Sequence, residues 1–313
     1  MSEVVAFIGL GRMGGPMAAR LVAAGHRVLG HDLVPELLAA AVGRGVEAAA
    51  SAAGAAAEAD VVVTMLPTGR HVLALYRDEG LLAAARPGTL FLDCSTIAVA
   101  DARAAHEAAR AAGHRALDAP VSGGVVGAEA GTLTFMAGGG AEEFARAEPL
   151  LSAMGARAVH CGDAGAGQAA KICNNMILGI SMIAVSEAFV LGESLGLSHQ
   201  ALYDVASASS GQCWALTTNC PVPGPVPASP ANRDYRPGFS APLMAKDLRL
   251  AADAARAGGV AAELGLRAAQ LYAEFAEGEG AEQDFSGIVR ALRQRPAPPA
   301  ETPTATDQNG TPT

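Results

Sequence analysis

The sequence predicts an α/β chain in two parts, a mostly parallel sheet domain followed by an all-helical domain built round one long helix. Three observations carry this. Short β-rich runs alternate with Ala-rich helical stretches through the first half, which is the pattern of a parallel sheet with helices on both faces. The last β-like run ends near Gly162. Beyond it, residues 167–196 form one apolar stretch without proline, and a helix apolar nearly all round must be buried on most sides.

In chain order, the strand-like runs are 4–10, 26–32, 60–67, 89–95, 114–121, 132–139 and 156–162, with helix-like segments such as PMAARLVAAG between most of them. The long helix then opens a second domain, whose apolar surface is the expected meeting place of subunits in a homodimer or homotetramer. A Pro- and Gly-rich segment, 220–238, reads as an ordered loop over a site. The expected boundaries are 1–163 for the sheet domain and 164–295 for the helical one. Residues 296–313 carry no aromatic or large aliphatic group and read as a disordered tail.

Composition narrows the function. A net charge of −9 without a Lys/Arg cluster argues against nucleic acid. Arg290, Arg293 and Arg295 read as a helix end. Five cysteines with no ligand spacing fit buried thiols in a reduced, cytoplasmic protein, with neither a disulfide framework nor a metal site. Most of the seven histidines precede strand-like runs, where exposure is expected. The longest uncharged span of the long helix, 172–186, is 15 residues, short of the roughly 18–20 apolar residues a membrane crossing needs.

Gly9-Leu10-Gly11-Arg12-Met13-Gly14 follows the first strand directly and opens a helix. One glycine makes the tight turn, the next admits a pyrophosphate to the backbone, and the third packs helix on strand. The positive end of the helix faces the phosphates. This marks the sheet domain as Rossmann-like. Asp32 ends the second strand, 18 residues beyond Gly14, placed to bind ribose hydroxyls and to repel a 2′-phosphate, so NAD is the expected cofactor. Leu66-Pro67 and Ser95-Thr96 end later strands and border the same crevice.

Of the 22 basic residues only Lys171 and Lys246 are lysines. Arginine keeps its proton in proteins, whereas a desolvated lysine can lose one. Lys171 lies in the apolar helix, and Asn175 is one turn away on the same face. Ser122-Gly123-Gly124 ends a strand with a hydroxyl and bare backbone donors suited to a small carboxylate. Lys246-Asp247 forms a second polar insertion.

With GLGRMGGPMA, TMLPT, DAPVSGG, LTFMAGG, GQAAKICNNM, SSGQCW, PVPG and LMAKDL in place, the chain resembles the β-hydroxyacid dehydrogenases from Val5 to Arg293, and most of all their hydroxyisobutyrate branch. Cys220 departs from the Asn expected before PVPG. The resemblance implies NAD-dependent oxidation of 3-hydroxyisobutyrate to its semialdehyde, a step of valine breakdown. Lys171 would be the general acid/base, and Asn175 would hold the substrate oxygen. Ser122, Gly123 and Gly124 would bind the carboxylate. Lys246 would lie near nicotinamide and carboxylate, with Asp247 bracing the site. Leu66, Pro67, His71 and Thr96 would line the cofactor. The alternatives are tartronate semialdehyde reduction, serine oxidation, or a non-catalytic nucleotide-binding module, the last disfavoured by Lys171.

Overall fold

The structure, a computed structural model, describes residues 2–295. The Pro-rich segment 296–313 lies outside the described residues. Among the described residues nine strands form one sheet: β1 Val4–Ile8, β2 Arg27–His31, β3 Glu47–Ala48, β4 Val61–Thr64, β5 Leu90–Asp93, β6 Arg115–Asp118, β7 Val121–Ser122, β8 Leu133–Gly138 and β9 Gly155–Gly162. Their order is β3-β2-β1-β4-β5-β6-β8-β7, with β9 on β8. The first six run parallel, and β8 turns antiparallel to β6.

Two short strands were not expected. β3 is a two-residue, exposed edge on β2, too short to show alternation. The run 114–121 splits at Ala119-Pro120 into β6 and β7. Proline cannot donate to a ladder, so the chain leaves the sheet there and returns beside β8.

Two apolar layers cover the sheet. Val5, Phe7, Val61, Val63, Leu90 and Leu92 point into one, and Ala6, Ile8, Val62 and Phe91 into the other. The period-2 alternation thus buries both faces, as a parallel sheet requires. Register brings Ile8 beside His31 and Thr64, Thr64 beside Asp93, and Asp93 beside Asp118. The carboxyl ends therefore form one rim, and strand order reverses between β1 and β4, where such sheets bind ligands.

The long helix spans Ala166–Ser194. Its first part packs on β6, β8 and β9, and the rest on helices Ala241–Ala257, Glu263–Glu277 and Ile288–Gln294. Met182, Phe189, Met244, Leu248, Tyr272 and Phe285 form that second core. By length and composition this helix is sufficient to cross a membrane, which corrects the count from its uncharged span alone. The buried part of its apolar window, 39% of it, packs on protein. Burial is also less complete than expected, since Ile177 is 63% and Leu191 59% exposed.

Two further expectations change. His114 is buried, its ring against Phe91 and its Nε2 at 2.9 Å from the Leu82 carbonyl oxygen. Among the cysteines, Cys94 and Cys220 are buried but Cys173 is exposed. The arginines at the end do mark a helix terminus: Arg293 pairs with Glu193 and Arg290 with Asp234.

Candidate active site

The glycine turn sits at the end of β1. Gly9 adopts φ +93°, open to glycine at little cost. A Cβ on Gly9 would strike the Met65 carbonyl, and one on Gly14 would strike the Gly9 carbonyl. A Cβ on Gly11 would meet nothing within 4 Å, so that space is open to a phosphate. Helix Gly14–Ala23 starts there without a side-chain cap; its Gly15 N–H is bonded to the Gly11 carbonyl and Pro16 has no N–H, so what the helix offers an anion is its positive end behind the glycine turn. Asp32 accepts from the Leu10 N–H at 2.7 Å and the Val34 N–H at 2.8 Å. It ties the glycine turn to the end of β2. These residues fit a dinucleotide.

Leu66 is held by its neighbours: its N–H donates to Ser95 Oγ at 2.8 Å. Ser95 Oγ donates in turn to Asp93 Oδ1 at 2.6 Å, which also accepts from Thr64 Oγ1 at 2.8 Å. Burial pushes the Asp93 carboxyl up to about 6 despite these donors, and its Oδ2 has no partner. His71 stands at the exposed start of helix Gly69–Arg77, its Nδ1 2.8 Å from Thr68 Oγ1.

The lysines converge from two helices. Lys171 is 7% exposed, and burial pushes its pKa down from 10.5 to about 8. The Asp247 carboxylate opposes that shift, and the Lys246 cation adds to it. Asn175, one turn along, donates from Nδ2 to Asp247 Oδ2 at 2.6 Å and accepts from Asn174. Lys246 Nζ donates to the Thr96 carbonyl at 2.8 Å. It also lies 3.1 Å from Asp247 Oδ1, an ion pair out of line for a hydrogen bond. Lys171, Asn175, Lys246, Asp247 and Thr96 are thus brought together around one buried carboxylate.

Ser122, Gly123 and Gly124 lie where β7 passes into helix Gly124–Ala130. Gly123 and Gly124 both have positive φ at the start of helix Gly124–Ala130. The end of the 220–238 segment reaches them: Gly124 faces the Gly238 carbonyl, and Arg12 donates to the Pro237 carbonyl at 3.2 Å. Asp284, buried, fixes that segment by accepting the Gly238 and Phe239 N–H groups, both at 3.0 Å.

Three residues escaped the sequence reading. Asp118, inside the DAPVSGG run, accepts the Gly165 N–H with its Oδ1 at 2.7 Å and the Gln168 N–H with its Oδ2 at 2.8 Å. It caps the long helix from β6, satisfying donors that a helix start leaves open. Burial raises its carboxyl to about 6. Gln168 bonds across to the Ser95–Ile97 turn, and Asp284 acts as described. The bonds named for all three residues are long-range, and only the spacing of DAPVSGG before GAGQ hints at any of them.

Residues 4–162 match the family described as the NAD-binding domain of 6-phosphogluconate dehydrogenase. Residues 165–292 match that described as NAD-binding of NADP-dependent 3-hydroxyisobutyrate dehydrogenase. Fold and glycine turn thus define an NAD-dependent oxidoreductase. Over 291 residues the chain is 57% identical to a probable 3-hydroxyisobutyrate dehydrogenase of Mycobacterium tuberculosis, covering 93% of this chain and 98% of that one. It is 50% identical to an NAD-dependent L-serine dehydrogenase of Pseudomonas aeruginosa, covering 91% and 96%. The solved structure of Mycobacterium tuberculosis 3-hydroxyisobutyrate dehydrogenase with L-serine superposes with TM-score 0.90 at 56% identity, covering 94% and 100%. The chain belongs to the NAD-dependent β-hydroxyacid dehydrogenase family.

Proposed function

We propose that this enzyme oxidises 3-hydroxyisobutyrate to methylmalonate semialdehyde, a step of valine breakdown, with residues 1–163 holding the cofactor and 164–295 closing the substrate site. The observation that carries the chemistry is Lys171, a buried amine at about 8 beside Asn175 and Asp247. A base with a pKa near the working pH is the efficient one. Neutral Lys171 Nζ takes the proton of the substrate hydroxyl while the carbinol carbon gives up its hydride and becomes a carbonyl. NAD, when bound, supplies the hydride acceptor. The same Nζ, now an ammonium, returns the proton in the reverse direction.

Asn175 positions the substrate oxygen, itself fixed by Asp247. Ser122 and the Gly123 and Gly124 N–H groups bind the carboxylate, with the Lys246 cation opposite. On the cofactor side, Gly9, Leu10, Gly11, Arg12, Met13 and Gly14 receive the pyrophosphate, and Asp32 the adenosine ribose. Leu66, Pro67, His71, Thr96 and Lys246 line the nicotinamide end. The Asp32 carboxylate disfavours a 2′-phosphate, so NAD is preferred over NADP.

A second reading, serine oxidation, has its own support in the L-serine dehydrogenase likeness. Initial rates on five β-hydroxy acids, 3-hydroxyisobutyrate and L-serine among them, with NAD and NADP side by side, separate the readings. A higher kcat/KM for L-serine would replace the first by the second. The apolar stripe of Ile177, Leu191 and Leu195, each more than half exposed, supports a homodimer or homotetramer, read by sedimentation. Five free cysteines fit the cytoplasm.

A further inference from the structure

The turn Ser95–Ile97 is held from three sides. Ser95 Oγ binds Asp93 and the Leu66 N–H. The Thr96 carbonyl accepts Lys246 Nζ. Gln168, fully buried in the long helix three residues before Lys171, spans the rest of the turn. Its Nε2 donates to the Ser95 carbonyl at 2.7 Å, and its Oε1 accepts the Ile97 N–H at 3.1 Å. Both ends of one amide are engaged, and its own N–H is held by Asp118. An amide carries its donor and its acceptor on two separate atoms of one plane, which lets a single side chain bridge the Ser95 carbonyl and the Ile97 N–H.

We propose that Gln168 is a positioning residue: it clamps the turn that borders the nicotinamide to the helix that carries Lys171. The clamp fixes the Thr96 carbonyl, and through it Lys246, relative to the base. Hydride and proton departure from one substrate then stay in register. The idea rests on the hydride transfer proposed above, and it predicts that the clamp matters more for kcat than for NAD affinity, since the pyrophosphate and ribose contacts lie elsewhere.

Two variants test it in the full chain. Gln168→Met keeps the length and removes both bonds. Its kcat should fall about 10- to 100-fold, as expected for misplacement of about 1 Å, with NAD affinity by calorimetry unchanged. Hydrogen exchange at the Ile97 amide should accelerate. Gln168→Glu retains both bonds only while protonated. Burial raises its carboxyl, so its kcat should fall with rising pH over a range where the wild-type kcat rises. Wild-type-like kcat in Gln168→Met, or unchanged Ile97 exchange, overturns the clamp. Should the Met variant not fold, a Gln168→Glu pH profile parallel to the wild type overturns it. A wild-type protein that oxidises no β-hydroxy acid would sink the proposed reaction instead, and the exchange measurement would still decide the clamp.

Discussion

Replacing Lys171 by Met should abolish catalysis and make the protein more stable. The amine sits at about 8 in the fold against 10.5 in the unfolded chain. At pH 7 it is charged in both states, and burying that charge costs about 3 kcal/mol, at about 1.4 kcal/mol for each tenfold change in proton affinity. Between about 8 and 10.5 the folded form binds fewer protons than the unfolded one, so wild-type stability rises with pH across that window and the penalty disappears above it. Methionine carries no charge and similar volume. Its gain is reduced because Asp247 loses a neighbouring cation, although Asn175 and Lys246 still engage it. A net gain of about 1–3 kcal/mol at pH 7 would raise Tm by roughly 2–6 °C. The assay is calorimetry of both proteins at pH 7 and near pH 10. A Lys171→Met protein no more stable than wild type at pH 7, or a Tm difference that does not shrink toward pH 10, would refute the buried-charge reasoning.

Three other outcomes are expected. Lys171→Arg keeps the charge but not the titration, so kcat should drop about 10²- to 10⁴-fold, while Lys246→Arg should lose less, mainly in KM; steady-state rates over a pH series compare them. Asp32→Ala should lower kcat/KM with NAD and narrow the preference over NADP, because both the ribose acceptor and the Leu10 tether go; unchanged cofactor selectivity would remove Asp32 from that role. Asp93→Asn should raise Tm at pH 8, where the wild type holds a buried carboxylate whose folded pKa, about 6, lies above the ordinary 3.8. That advantage should fade as pH falls through 6 toward 3.8, since protonated wild-type Asp93 no longer carries the penalty.

The strands and the long helix were legible because each satisfies a local rule. VVAFIGL and DVVVTMLP are short apolar runs closed by turn residues, and GLGRMG follows a strand and opens a helix, the context in which that glycine spacing receives a phosphate. The lysines stood out by rarity, and burial of Lys171 follows from its apolar surroundings. What sequence could not give were relations between distant positions. Nothing local says that Asp118 reaches Gly165 and Gln168, or that Gln168 spans Ser95 and Ile97. A lone glutamine near a helix start looks like a solvated residue. The run through Pro120 read as one strand because local β-propensity does not report which edge the chain rejoins.

The capping of the long helix by Asp118 bears on how relatives of this enzyme could be recombined. One way to change specificity is to graft a foreign helical half at the sequence boundary near residue 163. Such a chimera would separate a carboxylate donated by the sheet from the N–H groups of Gly165 and Gln168, and Gln168 from Ser95 and Ile97. A crossover beyond Lys171 leaves all these contacts parental, since the turn, the strand end and the first helical residues then come from one ancestor. The unit of inheritance for the site is the sheet plus the opening turns of the helix, one step further along the chain than the fold boundary.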